Sequence, residues 1–124
     1  MKLPKDIEVV NAEIISTKLG FEGHGIFTLF IGLRFESGNI GFGNFALDQW
    51  CDKEVKRTGS QLGIDVIMRI IKIAGVKNWE ELEGQYIRIN KVGLGESLTY
   101  IGHLVNDDWL NVKDILINFE NKKG

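Results

Sequence analysis

Between Ile26 and Phe35 nearly every position is apolar. Phe27, Leu29, Ile31, Leu33 and Phe35 alternate with Ile26, Thr28, Phe30, Gly32 and Arg34. A period of two with apolar residues on both sides predicts an interior strand covered on both faces. Ile7 to Leu19 is rich in β-branched residues, among them Val9, Val10, Ile14, Ile15 and Thr17, and predicts a strand before it. The glycine-rich run Gly20 to Gly25 is the turn between them. Ser37-Gly38-Asn39 predicts a hairpin turn, and Ile40 to Leu47 a third strand.

The period then changes. Gly63, Val66, Ile67, Ile70, Ile71 and Ala74 follow the spacing of one helix face. Ser60 or Thr58 can cap the start of this helix, and Gly75 ends it. Asn78 to Leu82 predicts a short helical turn, with Asn78 and Glu81 placed as a capping box. Gln85 to Val92 alternates again, Gly93-Leu94-Gly95 turns, and Ser97 to Val105 is the partner strand. Asn106 to Leu110 reads as a loop, and Asn111 to about Asn121 as a last helix capped by Asn111. The predicted order is β-β-β-α-β-β-α. This is an α+β fold: a mainly antiparallel sheet of about five strands packed on two helices, in a single domain over residues 1–124.

Composition narrows the function more than the fold. The chain is 44% hydrophobic and 26% charged, enough for a real core. Its formal net charge is −2, so nucleic acid is an unlikely partner by long-range attraction. An anionic ligand would need a local basic cluster. The single cysteine, Cys51, excludes a disulfide framework. No apolar run has the length of a membrane span, and no signal core follows Met1, so the expected address is the cytoplasm.

Two segments carry candidate recognition chemistry. The first is Gly41-Phe42-Gly43-Asn44-Phe45-Ala46-Leu47-Asp48. Glycines inside a strand mark a bulge or a close backbone approach. One reading is a ligand surface made by Phe42, Asn44, Phe45 and the nearby Trp50, whose rings stack on a base. The other is a bulged strand whose phenylalanines are core. The second segment, Lys53 to Ser60, runs basic into a helix start, where Arg57, Thr58 and Ser60 are placed to hold a phosphate. Without the P-loop spacing, it equally describes a solvated loop with an ordinary cap. Trp109 is a further candidate to stack on a base and Asp108 to bind a base or ribose edge; the acidic pair Asp107-Asp108 equally reads as a loop-to-helix connector.

Catalysis has less support. His24 and His103 are the only histidines, and neither sits in a ligand-spaced motif, so no metal is expected. His103 shares its strand face with Ile101 and Val105, as a core histidine does. Cys51 has no histidine near it in sequence, and no nucleophile elbow is present. The expectation is a non-enzyme without cofactor.

The string Gly41 to Asp48 resembles a segment of the Gly-Phe-Gly-Gly-Tyr type in a set of small phage and prophage accessory proteins, with Asn44-Phe45 replacing Gly-Tyr. Gly23-His24-Gly25-Ile26, Ala74 to Leu82 with Gly84, and Ile101 to Val105 followed by Asp107-Asp108-Trp109 extend the likeness over residues 9 to 115. The resemblance implies a phage accessory protein and names no reaction. By analogy with compact anti-defence proteins, it implies a homo-oligomer that sequesters a small nucleotide immune signal, such as a cyclic ADP-ribose variant or a cyclic dinucleotide. An open sheet edge also favours oligomerisation. Alternatives are a protein inhibitor module docking on a host defence or replication protein, and a single-stranded nucleic-acid binder.

Overall fold

The computed structural model describes residues 2–93 and 96–115. It is an α+β domain built on a six-stranded antiparallel sheet that curls into a half-barrel. The strands are β1 (Val9–Phe21), β2 (Phe27–Phe35), β3 (Gly38–Ala46), β6 (Tyr86–Asn90), β7 (Tyr100–Gly102) and β8 (Trp109–Asn111). Their spatial order is β3-β2-β1-β6-β7-β8. Two further strands, β4 (Asp48–Cys51) and β5 (Lys56–Gly59), pair as a separate hairpin. Helix α1 (Gln61–Ala74) and a short helix, Trp79–Glu81, complete the described elements.

Two expectations are corrected, and a third is described only in part. The sheet has six strands and not five, because Trp109 and Leu110 pair with β7 instead of forming a loop. The segment 48–59, polar and charged in sequence and so expected to be loop, forms a hairpin. Only residues 112–115 of the expected last helix are described, as one helical turn. Asn111 caps it as expected, its Oδ1 accepting from the amides of Lys113 at 3.0 Å and Asp114 at 3.2 Å. The rest of that helix, and the turn at Leu94 and Gly95, lie outside the described residues.

The alternation of β2 does what its sequence requires. Leu29, Ile31 and Leu33 point inward and are at most 3% exposed. Each such side chain withdrawn from water contributes about 1.5–3 kcal/mol. On β1 an extra residue intervenes between the pairs Ile14↔Leu33 and Ser16↔Gly32. This bulge switches the parity of the strand. Ala12 and Ile14 face inward before it, whereas Thr17, Leu19 and Phe21 pair with the inward positions of β2 after it.

Helix α1 closes the concave side. Val66, Ile70 and Ala74 are buried there in one cluster with Ile87, Ile89 and Ile101. The caps are those the sequence indicates. Ser60 Oγ accepts from the Gly63 amide at 2.9 Å, and Gly75 takes the left-handed conformation at φ 74°. At the short helix Asn78 makes no side-chain bond to the backbone; its Nδ2 donates to Glu81 Oε1 at 2.8 Å.

Candidate functional site

The start of α1 is anchored to the end of β3. The Ser60 hydroxyl donates to the Leu47 carbonyl at 2.8 Å while it caps the helix. Gly63 lies against the same carbonyl so closely that a Cβ would collide with it. Strand β4 leaves this junction and β5 returns to it, with Asp48 paired to Gly59 and Trp50 to Arg57. Residues directly opposite in a ladder share a face, and so do alternate residues of one strand. Trp50, Arg57 and Asp48 therefore stand on one face of the hairpin.

Arg57 is held in place on that face. Its Nε donates to Asp48 Oδ2 at 2.9 Å, and its Nη2 to Asp48 Oδ1 at 2.8 Å. The Nη2 also reaches the Asp48 carbonyl at 3.2 Å. The guanidinium bond holds the Asp48 carboxyl below its ordinary range, against the opposing effect of burial. The same bond raises Arg57. Among the described residues Nη1 makes no hydrogen bond, so one edge of the fork remains for a ligand.

A cavity of about 270 Å³ opens between the hairpin, the start of α1 and the ends of β1 and β2. Asp48, Arg57 and Thr58 line one side, and Ser60, Gly63, Ile64 and Ile67 another. Phe21 and Phe27 close it as an edge-to-face pair with centroids 5.0 Å apart. The site is a small apolar recess with a guanidinium and a hydroxyl at one wall.

The sequence candidates separate into three groups. Arg57, Thr58 and Ser60 line the cavity, although the Ser60 hydroxyl proton is already donated to the Leu47 carbonyl. Trp50 is 54% exposed, beside Arg57, and its Nε1 donates to Asp52 Oδ1 at 2.8 Å.

Phe42, Asn44 and Phe45 form the second group and belong to a bulged strand. Phe42 is 6% exposed and sits in the core, so its ring cannot receive a ligand. Phe45 packs partly against that core, edge-to-face with Phe42 at 5.6 Å. Asn44 is exposed at φ 64°, where two residues of β3 oppose one of β2. The glycines beside them serve the chain's own packing: Gly43, at φ 129°, lies against the Leu29 carbonyl, where a Cβ would collide. The Phe30 ring lies over Gly41, where a Cβ would stand 2.6 Å from it.

The third group, Asp108 and Trp109, lies away from the cavity and is tied into the fold. Trp109 is 2% exposed, covers Gly102 and carries the Arg88 guanidinium 4.7 Å from its ring centroid. Arg69 pairs with Asp108 at 3.2 Å and donates to the Trp109 carbonyl at 3.0 Å. His103 is not a core residue; it is half-buried, and its Nδ1 accepts from the amides of Val105 and Asn106 at 3.0 and 2.8 Å. These bonds fix the loop between β7 and β8.

Phe21 and Phe27 are the site residues that sequence reasoning missed. Their signal was two phenylalanines flanking a glycine turn, which is a cross-strand pair. A larger polar depression of about 700 Å³ lies beside Asn90, Lys91 and Tyr100. It contains none of the candidates, and the buried Asn90 side chain there already bonds Ser97, Thr99 and Tyr100. Among the described residues no three His, Cys, Asp or Glu side chains gather as a metal site, and no helix is long and apolar enough to cross a membrane. No protein-family model matches the chain, and no curated protein matches it.

Proposed function

We propose that this chain is a phage or prophage accessory protein that sequesters a small nucleotide immune signal without transforming it, in the cytoplasm of the host. The observation that carries this reading is the register placing Trp50 opposite Arg57 at the edge of a cavity walled by Phe21 and Phe27. A nucleotide needs a flat apolar surface for its base and a fixed cation for its phosphate, and these lie side by side. Asp48 neutralises much of the Arg57 charge, so the phosphate interaction is a directed hydrogen bond from Nη1.

Size limits the ligand. Pockets for small molecules occupy about 300–1,000 Å³, and this cavity is about 270 Å³. It holds one nucleoside moiety, and the remainder of a cyclic ADP-ribose variant or cyclic dinucleotide extends over the Trp50 face. Calorimetry against a panel of both ligand classes tests the reading. The expected result is saturable heat with one member, lost in Trp50→Ala and Arg57→Ala, and recovery of the ligand unchanged by chromatography. No heat with any member sinks it, and a converted ligand sinks the sponge mechanism.

One observation favours a second reading, a protein inhibitor module. Val55, at the tip of the β4–β5 hairpin, is 73% exposed and sits at φ 53°. A β-branched residue is strained there, and exposure gives it no packing in return. Val55 thus presents an exposed apolar tip suited to a groove on a host protein. A stoichiometric partner captured from host lysate, lost in Val55→Gly, supports this reading over the first.

A further inference from the structure

Helix α1 has a second apolar stripe, separate from its core face. Ile64, Met68 and the half-buried Ile71 recur at steps of four and three, the spacing of a two-helix seam, between the polar Gln61 and the cap residue Gly75. Ile64 is 55% exposed and Met68 62%. Asp65 and Lys72, both exposed, flank this seam on the side away from the core, one position after Ile64 and Ile71.

We propose that a second copy of this chain occupies this stripe, with the two α1 helices antiparallel about a twofold axis. Charge selects the orientation. In an antiparallel pair, the positions that follow Ile64 and Ile71 face their equivalents in the other helix. Asp65 then meets the partner's Lys72, and Lys72 meets the partner's Asp65. Met68 packs against the partner's Ile71 between them. In a parallel pair, Asp65 and Lys72 would face the partner's Ser60 and the partner's Ile67 instead, and both ion pairs would be absent. Exposed ion pairs add little affinity, so they set direction and the apolar residues supply the attraction.

The stripe does not end with the helix. Ile64 and Ile67 line the cavity together with Phe21, which is 68% exposed. A helix of 14 residues is only about 21 Å long, and a stable interface buries roughly 1,000 Å² or more. A stable dimer therefore needs contacts beyond the two helices, and the exposed Phe21 beside Ile64 is adjoining apolar surface that can supply them. This pairing goes beyond the ligand reading and does not depend on it, because it is tested with no ligand present.

The chain weighs 14.0 kDa. Sedimentation velocity of the full chain is expected to give twice that mass. Met68→Glu changes an exposed residue, so it is expected to keep the far-ultraviolet circular dichroism of the parent and to sediment as a monomer. Asp65→Lys is expected to weaken the dimer at least several-fold, and Asp65→Lys with Lys72→Asp to restore it. A parent chain that stays monomeric at every soluble concentration overturns the proposal. So does a dimer that Met68→Glu leaves intact, and a double variant no tighter than Asp65→Lys overturns the antiparallel orientation.

Discussion

Arg57 grips Asp48 with two parallel hydrogen bonds, Nε to Oδ2 at 2.9 Å and Nη2 to Oδ1 at 2.8 Å. The Asp48 side chain is 7% exposed and that of Arg57 32%. Removing the guanidinium leaves a nearly buried carboxylate without its main partner. Hydrogen bonds to charged groups contribute about 1.5–3 kcal/mol, and Arg57→Ala is expected to cost that much near neutral pH. The sign of the pH dependence follows from the lowered carboxyl. Asp48 contributes fully above its ordinary value of 3.8, and its contribution disappears as the pH falls through the lower folded value. The stability gap between parent and variant, followed by thermal melting, is expected to close in acid. A gap that stays constant contradicts the assignment.

Gly63 reverses a general rule. Glycine to alanine inside a helix normally stabilises by about 0.8–1.0 kcal/mol. Here the added methyl would enter the carbonyl group of Leu47, which is backbone and cannot rotate away. Gly63→Ala is expected to destabilise by about 1–3 kcal/mol, the range for overpacked sites. It also displaces the start of α1 from the hairpin, so ligand affinity is expected to fall together with the denaturant midpoint.

Two aromatic rings lie over glycines, and their freedom to move differs. Phe30 is half-buried, and the part of its ring nearest Gly41 is the far end of the side chain. Trp109 is 2% exposed and is held over Gly102 by Arg88 and by an Nε1 bond to Asp107 at 3.0 Å. Gly102→Ala is therefore expected to cost more than Gly41→Ala. Phe30→Ala is expected to relieve part of the Gly41→Ala penalty, a coupling of about 0.5 kcal/mol or more in a double-mutant cycle. Equal costs at the two glycines would contradict the difference in ring mobility.

The elements that were legible share a clear hydrophobic period. Strand β2 and helix α1 bury a regular face, and Ser60 and Gly75 mark the helix ends. The β4–β5 hairpin buries little, so it leaves no apolar alternation in the sequence. Strand β8 was hidden behind Asn106-Asp107-Asp108, which reads as loop. The site was half legible. The basic run before α1 pointed to Arg57 and Thr58, because helix starts attract anions. Phe21 was not legible, since the bulge between Ile14 and Ser16 switches which residues face the concave side. The strand glycines were visible, but the ring that fills the space above a glycine comes from a different strand. Sequence spacing cannot name it.

Phe42 and Trp50 were placed on one surface by the sequence and are separated by the structure, which gives opposite expectations for the two rings. Phe42 is 6% exposed within the core, so Phe42→Ala removes transfer energy and leaves a cavity, at an expected cost of about 3–5 kcal/mol. Trp50 is 54% exposed on the hairpin, and Trp50→Ala is expected to change stability by less than about 0.5 kcal/mol. Binding should divide the other way. Loss of a stacking ring is worth about 1–3 kcal/mol per base, so Trp50→Ala should weaken a nucleotide ligand roughly five- to 150-fold. A conservative Phe42→Leu change, which keeps the chain folded, should leave that affinity close to the parent value. Measuring melting temperature and binding constant on the same preparations separates the roles. If Phe42→Leu abolished binding while Trp50→Ala spared it, recognition would lie on the β3 side and not on the hairpin.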